Sequence, residues 1–351
     1  MTPLRVLVCE DSRTYAAALR RMLEYDGDIA VDAVCATAEE AVAALPRIEP
    51  GLLTMDLELP GMDGLEAVGE IMSFRPLPIL VLSAHVGPRS DKAAAALAAG
   101  AIDALAKDDL DLRDPAGAAG AAFRQRVRAL SRARVIRHPR ARLGARPARP
   151  ARPGALRLPR YASVIGVCAS AGGPQMLVLL LGALPADYPI PLLIVQHMAA
   201  GFTGGLVRWL DQTVAMPVGV AEPGAQAAPG AWLAPEGAHL TLNASGRLAL
   251  DRHTVAGHHR PSGDVLLSSI AAAAGQAGAA VVLSGMGTDG AAGAAAVRRR
   301  GGLVIAQDEQ SSAVFGMPKA AIDLGVDAVL SPDEIVDRLR GLRHEPLPGT
   351  H

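Results

Sequence analysis

Ser163-Val164-Ile165-Gly166-Val167-Cys168-Ala169-Ser170-Ala171-Gly172-Gly173-Pro174 decides how the second half of the chain folds. A β-branched apolar run feeds a turn of small residues. Pro174 then opens a helix, where its missing N–H is not needed. The pattern is strand, tight turn, helix. A serine in such a turn can project its hydroxyl past the carboxyl end of a sheet, beside the free N–H groups of a helix N-terminus. Taken alone, the stretch also suits a capped helix after a flexible turn. A dinucleotide loop is a third reading, but Cys168 stands where the second glycine of G-x-G-x-x-G belongs.

Towards the C-terminus the alternation continues. Strand-like runs recur at Leu192 to Gln196, Val218 to Ala221, Ala280 to Leu283 and Leu303 to Ala306. Helical spacing separates them near Pro174 to Leu184, Thr203 to Gln212, Val265 to Ala274, Ala291 to Arg300 and Pro318 to Leu324. Trp232 to Pro235, His239 to Leu242 and Leu248 to Leu250 read as short hairpin pieces. The expectation is an α/β sheet with a small β insertion.

Three polar residues fall at turns just after strands: Ser170, His197 and Asp289. Their types belong together. A serine hydroxyl is a poor nucleophile until an imidazole takes its proton, and the imidazole needs a carboxylate to fix its tautomer and stabilise its cation. The glycine-rich turn Ser284-Gly285-Met286-Gly287-Thr288-Asp289-Gly290 leaves N–H groups free to hold an oxyanion. The order Ser, His, Asp and the lack of G-x-S-x-G exclude an ordinary α/β-hydrolase. His253, His258 and His259 form a second histidine group. No matched carboxylate or cysteine spacing accompanies them, so a metal site is not assigned there.

The first third alternates in the same way, with apolar runs at Leu4 to Cys9, Ile29 to Cys35, Leu52 to Met55, Ile79 to Leu82 and Ile102 to Ala106. Five strands separated by helices predict a doubly wound parallel sheet. Glu10 and Asp11 follow the first strand, Asp56 the third, Ser83 the fourth and Lys107 the fifth. Three carboxylates converging on one edge repel one another unless a cation joins them. Mg²⁺ is the fitting ion, being small, hard and oxygen-liganded. A lysine and a hydroxyl opposite it suit a phosphoryl group on Asp56.

A chain of 351 residues predicts about two domains. Between Arg124 and Arg160 lie thirteen of the 34 basic residues and no acidic one, so the remainder is strongly acidic. The first part of this Arg- and Pro-rich segment can extend the last helix of the first domain; after Pro139 it reads as a charged, semi-extended tether. It carries no interleaved aromatics for stacking on bases, and no helix-turn-helix is legible, so nucleic acid is not expected as a partner. Three scattered cysteines suit neither a disulfide framework nor a zinc site and point to a reducing cytoplasm. The uncharged span Ile270 to Thr288 is built of Ala, Gly, Gln and Ser. It reads as buried helix, turn and strand, not as a membrane insertion.

Two resemblances cover nearly the whole chain except the tether. Val6-Leu7-Val8-Cys9-Glu10-Asp11-Ser12, Met55-Asp56-Leu57-Glu58-Leu59-Pro60-Gly61-Met62-Asp63-Gly64, Val81-Leu82-Ser83-Ala84 and Lys107 resemble a response-regulator receiver domain. The resemblance implies phosphorylation of Asp56 by a histidine kinase. It gives Mg²⁺ to Glu10, Asp11, Asp56 and the main-chain carbonyl of Glu58, with Ser83 and Lys107 on the phosphoryl oxygens. Ala104 stands where the usual aromatic switch would be, and Asp108 where a proline usually follows the lysine. An aromatic rotamer relay therefore cannot operate.

Ala169 to Pro174, Gln196-His197-Met198, Leu233 to Leu240, Arg260-Pro261-Ser262-Gly263-Asp264-Val265-Leu266, Ser284 to Gly290, Gln307-Asp308-Glu309 and Gly316-Met317-Pro318 resemble the catalytic domain of chemotaxis protein-glutamate methylesterases. By position, the resemblance makes Ser170 the nucleophile, His197 the base, Asp289 the orienting acid and the Met286 N–H an oxyanion donor. Ala171 replaces a Thr often found after the nucleophile, and Ala199-Ala200 a Pro-Pro.

The expected organisation is a receiver over residues 1–122, a linker over 123–160 and an esterase domain over 161–345. The implied activity is hydrolysis of glutamate γ-methyl esters, with deamidation of glutamines, on the cytoplasmic helices of methyl-accepting chemoreceptors. It would be controlled by phosphorylation from the histidine kinase of a chemosensory array, and the esterase reaction would need no cofactor. An alternative is a receiver-controlled protein that binds the receptor array with idle esterase chemistry.

Overall fold

The computed structural model describes residues 2–83, 89–135, 161–255 and 259–347. In the first domain the order is β1 (Leu4–Cys9), α1 (Arg13–Glu24), β2 (Ile29–Cys35), α2 (Ala38–Ile48), β3 (Leu52–Asp56) and α3 (Gly64–Phe74). It continues with β4 (Ile79–Ser83), α4 (Arg89–Ala99), β5 (Asp103–Ala106) and α5 (Ala118–Ser131). All five strands are parallel, in the order β2-β1-β3-β4-β5.

Helices cover both faces of this sheet. Val6, Leu7 and Val8 are accordingly all buried, and the strand reads as an unbroken apolar run. α1 starts where the Ser12 hydroxyl accepts the Tyr15 N–H, and it buries Ala16, Leu19, Met22 and Leu23 at helical spacing. The Thr37 and Asp63 side chains cap α2 and α3 in the same way.

Residue 122, where the sequence reading ends this domain, falls inside α5. The helix runs on to Ser131 and buries Phe123, Val127 and Leu130. The first part of the basic segment thus extends the last helix of this domain, and its arginines are not all exposed. The buried Arg124 guanidinium donates to Asp26 at 2.7 Å and to the Pro115 carbonyl at 2.7 Å. Arg126 pairs with Asp103, and Arg128 with Asp26 and Asp28. The first arginines of the basic run thus answer acids of their own domain. The tether from residue 136 to 160 lies outside the described residues, as does Ala84.

The second domain opens with β6 (Tyr161–Ala162), β7 (Val164–Ala169), α6 (Gly173–Ala183), β8 (Leu192–Gln196) and α7 (Thr203–Thr213). Next come β9 (Val218–Val220), β10 (Ala231–Leu233), β11 (His239–Leu242), β12 (Leu248–Asp251), α8 (Gly263–Ala274) and β13 (Gly278–Val282). It ends with α9 (Ala291–Arg299), β14 (Leu303–Gln307), α10 (Met317–Leu324), β15 (Ala328–Leu330), α11 (Pro332–Arg340) and β16 (Arg343–His344). Seven strands form one parallel sheet, β15-β14-β13-β7-β8-β10-β9. From β7 the chain winds outward through β8 and then returns to place β13 on the other flank. The switch point therefore lies between the carboxyl ends of β7 and β13, where a parallel sheet opens a crevice.

Two details depart from the sequence reading. Ala231–Leu233 is a parallel strand in register with Leu192 to Ile194, not a hairpin arm. A three-residue run carries no information about its partner, which is set by where the chain returns. The antiparallel hairpin is β11–β12 alone among the expected pieces. β15 and α11 were not anticipated, although Ser331 and Glu334 form a capping box ahead of Ile335, Val336 and Leu339. No helix among the described residues is long and apolar enough to cross a membrane.

Candidate active site and acidic cluster

Ser170 is the first residue beyond β7. Gly172 follows at φ 75°, the left-handed conformation that lets the turn enter α6 within three residues. The Ser170 N–H donates to the Ser284 carbonyl at 3.0 Å, and its carbonyl accepts the Gly173 N–H at 2.8 Å. Gly285 runs directly past the serine. A Cβ on Gly285 would stand 2.8 Å from Ser170 Cβ and would also meet Met317 Sδ, so only glycine fits. The next residue, Met286, has an N–H committed to no acceptor among the described residues.

His197 follows β8 directly, and its N–H donates to the Ala169 carbonyl at 2.9 Å. Gln196 ties the two strand ends together. Its buried side-chain amide donates to the Ser170 carbonyl at 2.8 Å and to the His197 carbonyl at 2.9 Å. The sequence carries no signal for this side-chain role, because the Ser170 carbonyl it reaches lies 26 residues away in the chain.

Asp289, in the turn from β13 into α9, lies 2.8 Å from His197 Nε2. The Ser262 hydroxyl donates to its Oδ1 at 2.7 Å, the Gly263 N–H to Oδ2 at 2.6 Å and the Asp264 N–H to Oδ1 at 3.0 Å. The carboxylate thus sits on the N-terminus of α8, whose dipole favours negative charge. Burial alone would raise the carboxyl. The hydrogen bonds from His197, Gly263, Asp264 and Ser262 outweigh it and hold Asp289 well below the usual carboxylate range.

This fixes the histidine tautomer. An ionised carboxylate only accepts, so Nε2 carries the proton and Nδ1 the lone pair. Nδ1 is buried and has no hydrogen-bond partner among the described residues. The ring is therefore turned end for end relative to the chymotrypsin arrangement, in which Nδ1 faces the aspartate. The structure brings His197 and Asp289 into contact. It does not join Ser170 to Nδ1 by a hydrogen bond, a separation common before substrate binds. The neighbouring Cys168 thiol is pushed well above its ordinary range, first by burial and then by Asp289 and Asp264, so it is no rival nucleophile.

Of the second histidine group, His258 lies outside the described residues. His253 belongs to a turn closed by Asp251, and no metal-holding group containing it or His259 occurs among the described residues. His259 instead stacks on the His197 ring.

In the first domain, Glu10, Asp11 and Asp56 each offer a carboxylate oxygen within 4.8 Å of the others. Asp56 ends β3, and its Oδ1 accepts the Glu58 N–H at 3.0 Å. Lys107 stands 2.7 Å from both Asp56 Oδ2 and Glu10 Oε2, with its ammonium 4.6 Å from the centre of the Tyr15 ring. Burial pushes Glu10 up and Asp56 adds to that, while Lys107 offsets part of it. Ser83 ends β4, buried, in register with Ala106 beside Lys107. Ala104 is buried in β5 and offers no aromatic ring. The donor set suits a hard dication, with all-oxygen ligands, an excess of negative charge and a lysine able to face an incoming anion.

Comparison with known proteins agrees with both halves. Residues 165–339 match the family model for CheB methylesterase, and residues 6–113 that for the response regulator receiver domain. A protein-glutamate methylesterase/protein-glutamine glutaminase of Myxococcus xanthus is 38% identical over 341 residues, covering 94% of this chain and 95% of that protein. One from Anaeromyxobacter dehalogenans is 40% identical over 344 residues, covering 97% of each. The crystal structure of the Thermotoga maritima CheB methylesterase catalytic domain is 38% identical, covers 51% of this chain and 97% of that one, and superposes with a TM-score of 0.49.

Proposed function

The chain belongs to the CheB methylesterase family, with a receiver domain ahead of the esterase domain, and we propose that it is a phosphorylation-controlled serine hydrolase of methylated chemoreceptors. The reaction is hydrolysis of glutamate γ-methyl esters, with deamidation of glutamines by the same site. The observation that carries the catalytic assignment is the His197–Asp289 pair, with a buried Nδ1 lone pair left for the serine hydroxyl.

In this reading Ser170 Oγ attacks the ester carbonyl carbon and passes its proton to His197 Nδ1. The carbonyl oxygen becomes an oxyanion held by the Met286 N–H. Asp289 stabilises the imidazolium through Nε2–H. The imidazolium then gives its proton to the departing methoxide, and methanol leaves an acyl-serine. A water deprotonated by Nδ1 hydrolyses that ester, returning the proton to Ser170 and releasing the glutamate carboxyl group. A glutamine substrate follows the same course with ammonia as leaving group.

The receiver would accept a phosphoryl group on Asp56 from a histidine kinase of the chemosensory array. Mg²⁺ would be held by Glu10, Asp11, Asp56 and the Glu58 carbonyl, and would supply charge neutralisation at the phosphoryl oxygens. Ser83 and Lys107 would contact those oxygens. No cofactor is assigned to the ester hydrolysis. The chain's partners would be the kinase and the receptors' cytoplasmic helices, with neither nucleic acid nor membrane insertion involved, and its compartment the cytoplasm.

The test is methanol release from receptor membranes methylated with a labelled methyl group, with and without a small phosphodonor. Release that needs Ser170 and rises with phosphodonor supports the proposal. A chain that binds the membranes without releasing methanol would instead be an array-binding protein.

A further inference from the structure

His259 lies in the loop entering α8. Its ring stacks on that of His197, with centroids 4.2 Å apart and planes 14° from parallel. His259 is exposed, whereas the His197 side chain is only 9% exposed. The contact uses a π face, so both nitrogens of His197 remain available, Nε2 for Asp289 and Nδ1 for proton transfer. We propose that His259 is a positioning residue for the base: its ring holds the His197 plane and stabilises the imidazolium formed when Ser170 loses its proton. This rests on the reading of His197 as the base.

A neutral aromatic face attracts a cation stacked on it. His197 is cationic only after taking a proton, during both acylation and deacylation. The contact is therefore stronger in the transition states than in the resting enzyme, the condition for raising kcat. The other titratable and charged groups around the pair are already committed. Asp289 accepts from His197 and from the α8 N-terminus, and Asp264 accepts from Gly293 in α9. His239 in β11 lies between the Thr254 carbonyl and the Ser262 N–H. The Arg260 guanidinium donates to the carbonyls of Arg252 and Thr254. Glu236 precedes Gly237, whose N–H reaches the Arg260 carbonyl, and the Cys168 thiol is buried beneath Asp289.

The test compares the full-length wild type, His259→Phe and His259→Leu on methylated receptor membranes from about pH 5 to 9, the range over which histidine titrates. Phe keeps a face and cannot titrate, and its kcat should stay near that of wild type. Leu removes the face, so kcat should fall about threefold, and the acid limb of kcat/KM should move to lower pH by about half a unit. Wild type should show a broader acid limb than His259→Phe, because a second proton on the stack is repelled. In a His197→Ala background, His259→Leu should change residual turnover no further.

An unchanged plateau and limb in His259→Leu overturns the proposal. So does a Phe variant as impaired as Leu, or an undiminished Leu effect without His197. Ser170→Ala is measured in parallel. If it retains turnover, the serine–histidine reading itself fails; if it is inactive while His259→Leu matches wild type, only the stacking proposal fails.

Discussion

Asp264 and Asp289 each cap the helix that the other introduces. Asp264, in the first turn of α8, accepts the Gly293 N–H of α9 at 2.8 Å, while Asp289, at the entrance to α9, accepts the N–H groups of Gly263 and Asp264 in α8. The exchange locks two helix starts together and leaves one edge of Asp289 aimed at His197. Orientation of the acid is thus built into the fold and does not depend on substrate.

If Ser170, His197 and Asp289 act as a unit, replacing any one by Ala should cost about 10³-fold or more in kcat, and the double variants should cost little beyond the worse single. Asp289→Asn tests the tautomer directly. Its amide can donate to Nε2 and so favour the wrong ring form, and it should lose about 10³- to 10⁴-fold despite its matching shape. Turnover by Ser170→Ala near that of wild type would exclude the serine mechanism.

The pH dependence follows from the depression of Asp289. A carboxyl held below its ordinary range contributes stability that is present above its unfolded value, about 3.9, and is lost only as pH falls through the depressed folded value. Asp289 therefore stays ionised across any neutral-range assay. Ser262→Ala removes one of its donors. The stability penalty should be full at pH 7 and through the ordinary carboxylate range, and should shrink only below that range, as pH falls through the depressed folded value. Thermal unfolding over that range decides it, and a penalty that grows on acidification would contradict the assignment.

Gly285 offers a steric test of the same site. A methyl group there meets Ser170 Cβ on one side and Met317 Sδ on the other, so Gly285→Ala must displace the serine or the glycine-rich turn that carries residue 285. Displacements of about 1 Å cost about 10²-fold in rate. The expected result is a loss of that order in kcat with KM little changed, measured by initial rates on methylated receptor.

Much of this was legible in the sequence, for identifiable reasons. The central strands are apolar on both faces, so β7 and β8 could be read to within a residue of their observed ends. Ser170, His197 and Asp289 stood out because their chemistry requires one another, and of these the structure brings His197 and Asp289 into contact. Residues that act on those three did not stand out. The Ser262 hydroxyl and the Gln196 amide are ordinary polar side chains whose targets lie 27 and 26 residues away in the chain. His259 looked like part of a histidine group, and only the fold turns its ring onto His197. β10 was misread because three residues cannot declare a partner, and the partner of Arg124 was not legible because sequence alone cannot show Asp26 waiting for it.

The acidic cluster predicts a trade between stability and metal binding. Burial raises Glu10, so its carboxyl stabilises the metal-free domain fully only below its unfolded value of about 4.3, and that contribution is lost as pH rises through the raised folded value. Once ionised in the folded domain, Glu10 therefore costs stability. Glu10→Gln should raise the unfolding midpoint of the first domain in chelator, with the gain fading towards pH 4, and should weaken Mg²⁺ binding by about tenfold or more. Calorimetric titration and scanning calorimetry with and without Mg²⁺ measure both effects. Unchanged Mg²⁺ affinity would remove Glu10 from the proposed ligand set.

The last prediction concerns how the phosphoryl signal leaves the receiver. Ala104 is buried in β5 and cannot swing, so the usual aromatic relay is missing. Ser83 ends the neighbouring strand β4, and in the proposed reading it would be the hydroxyl left to move towards the phosphoryl group. Asp56→Asn should abolish labelling by a small phosphodonor and leave basal ester hydrolysis intact. Ser83→Ala should still be labelled, since Asp56 and Lys107 remain, but its activity should rise less on labelling. A tenfold activation corresponds to about 1.4 kcal/mol of bias between two states, which a single hydrogen bond to a charged group can supply. The measurement is methanol release against the fraction of chain phosphorylated, for wild type and each variant. If Ser83→Ala is activated as strongly as wild type at equal labelling, Ser83 does not carry the signal, and the coupling must start elsewhere around Asp56.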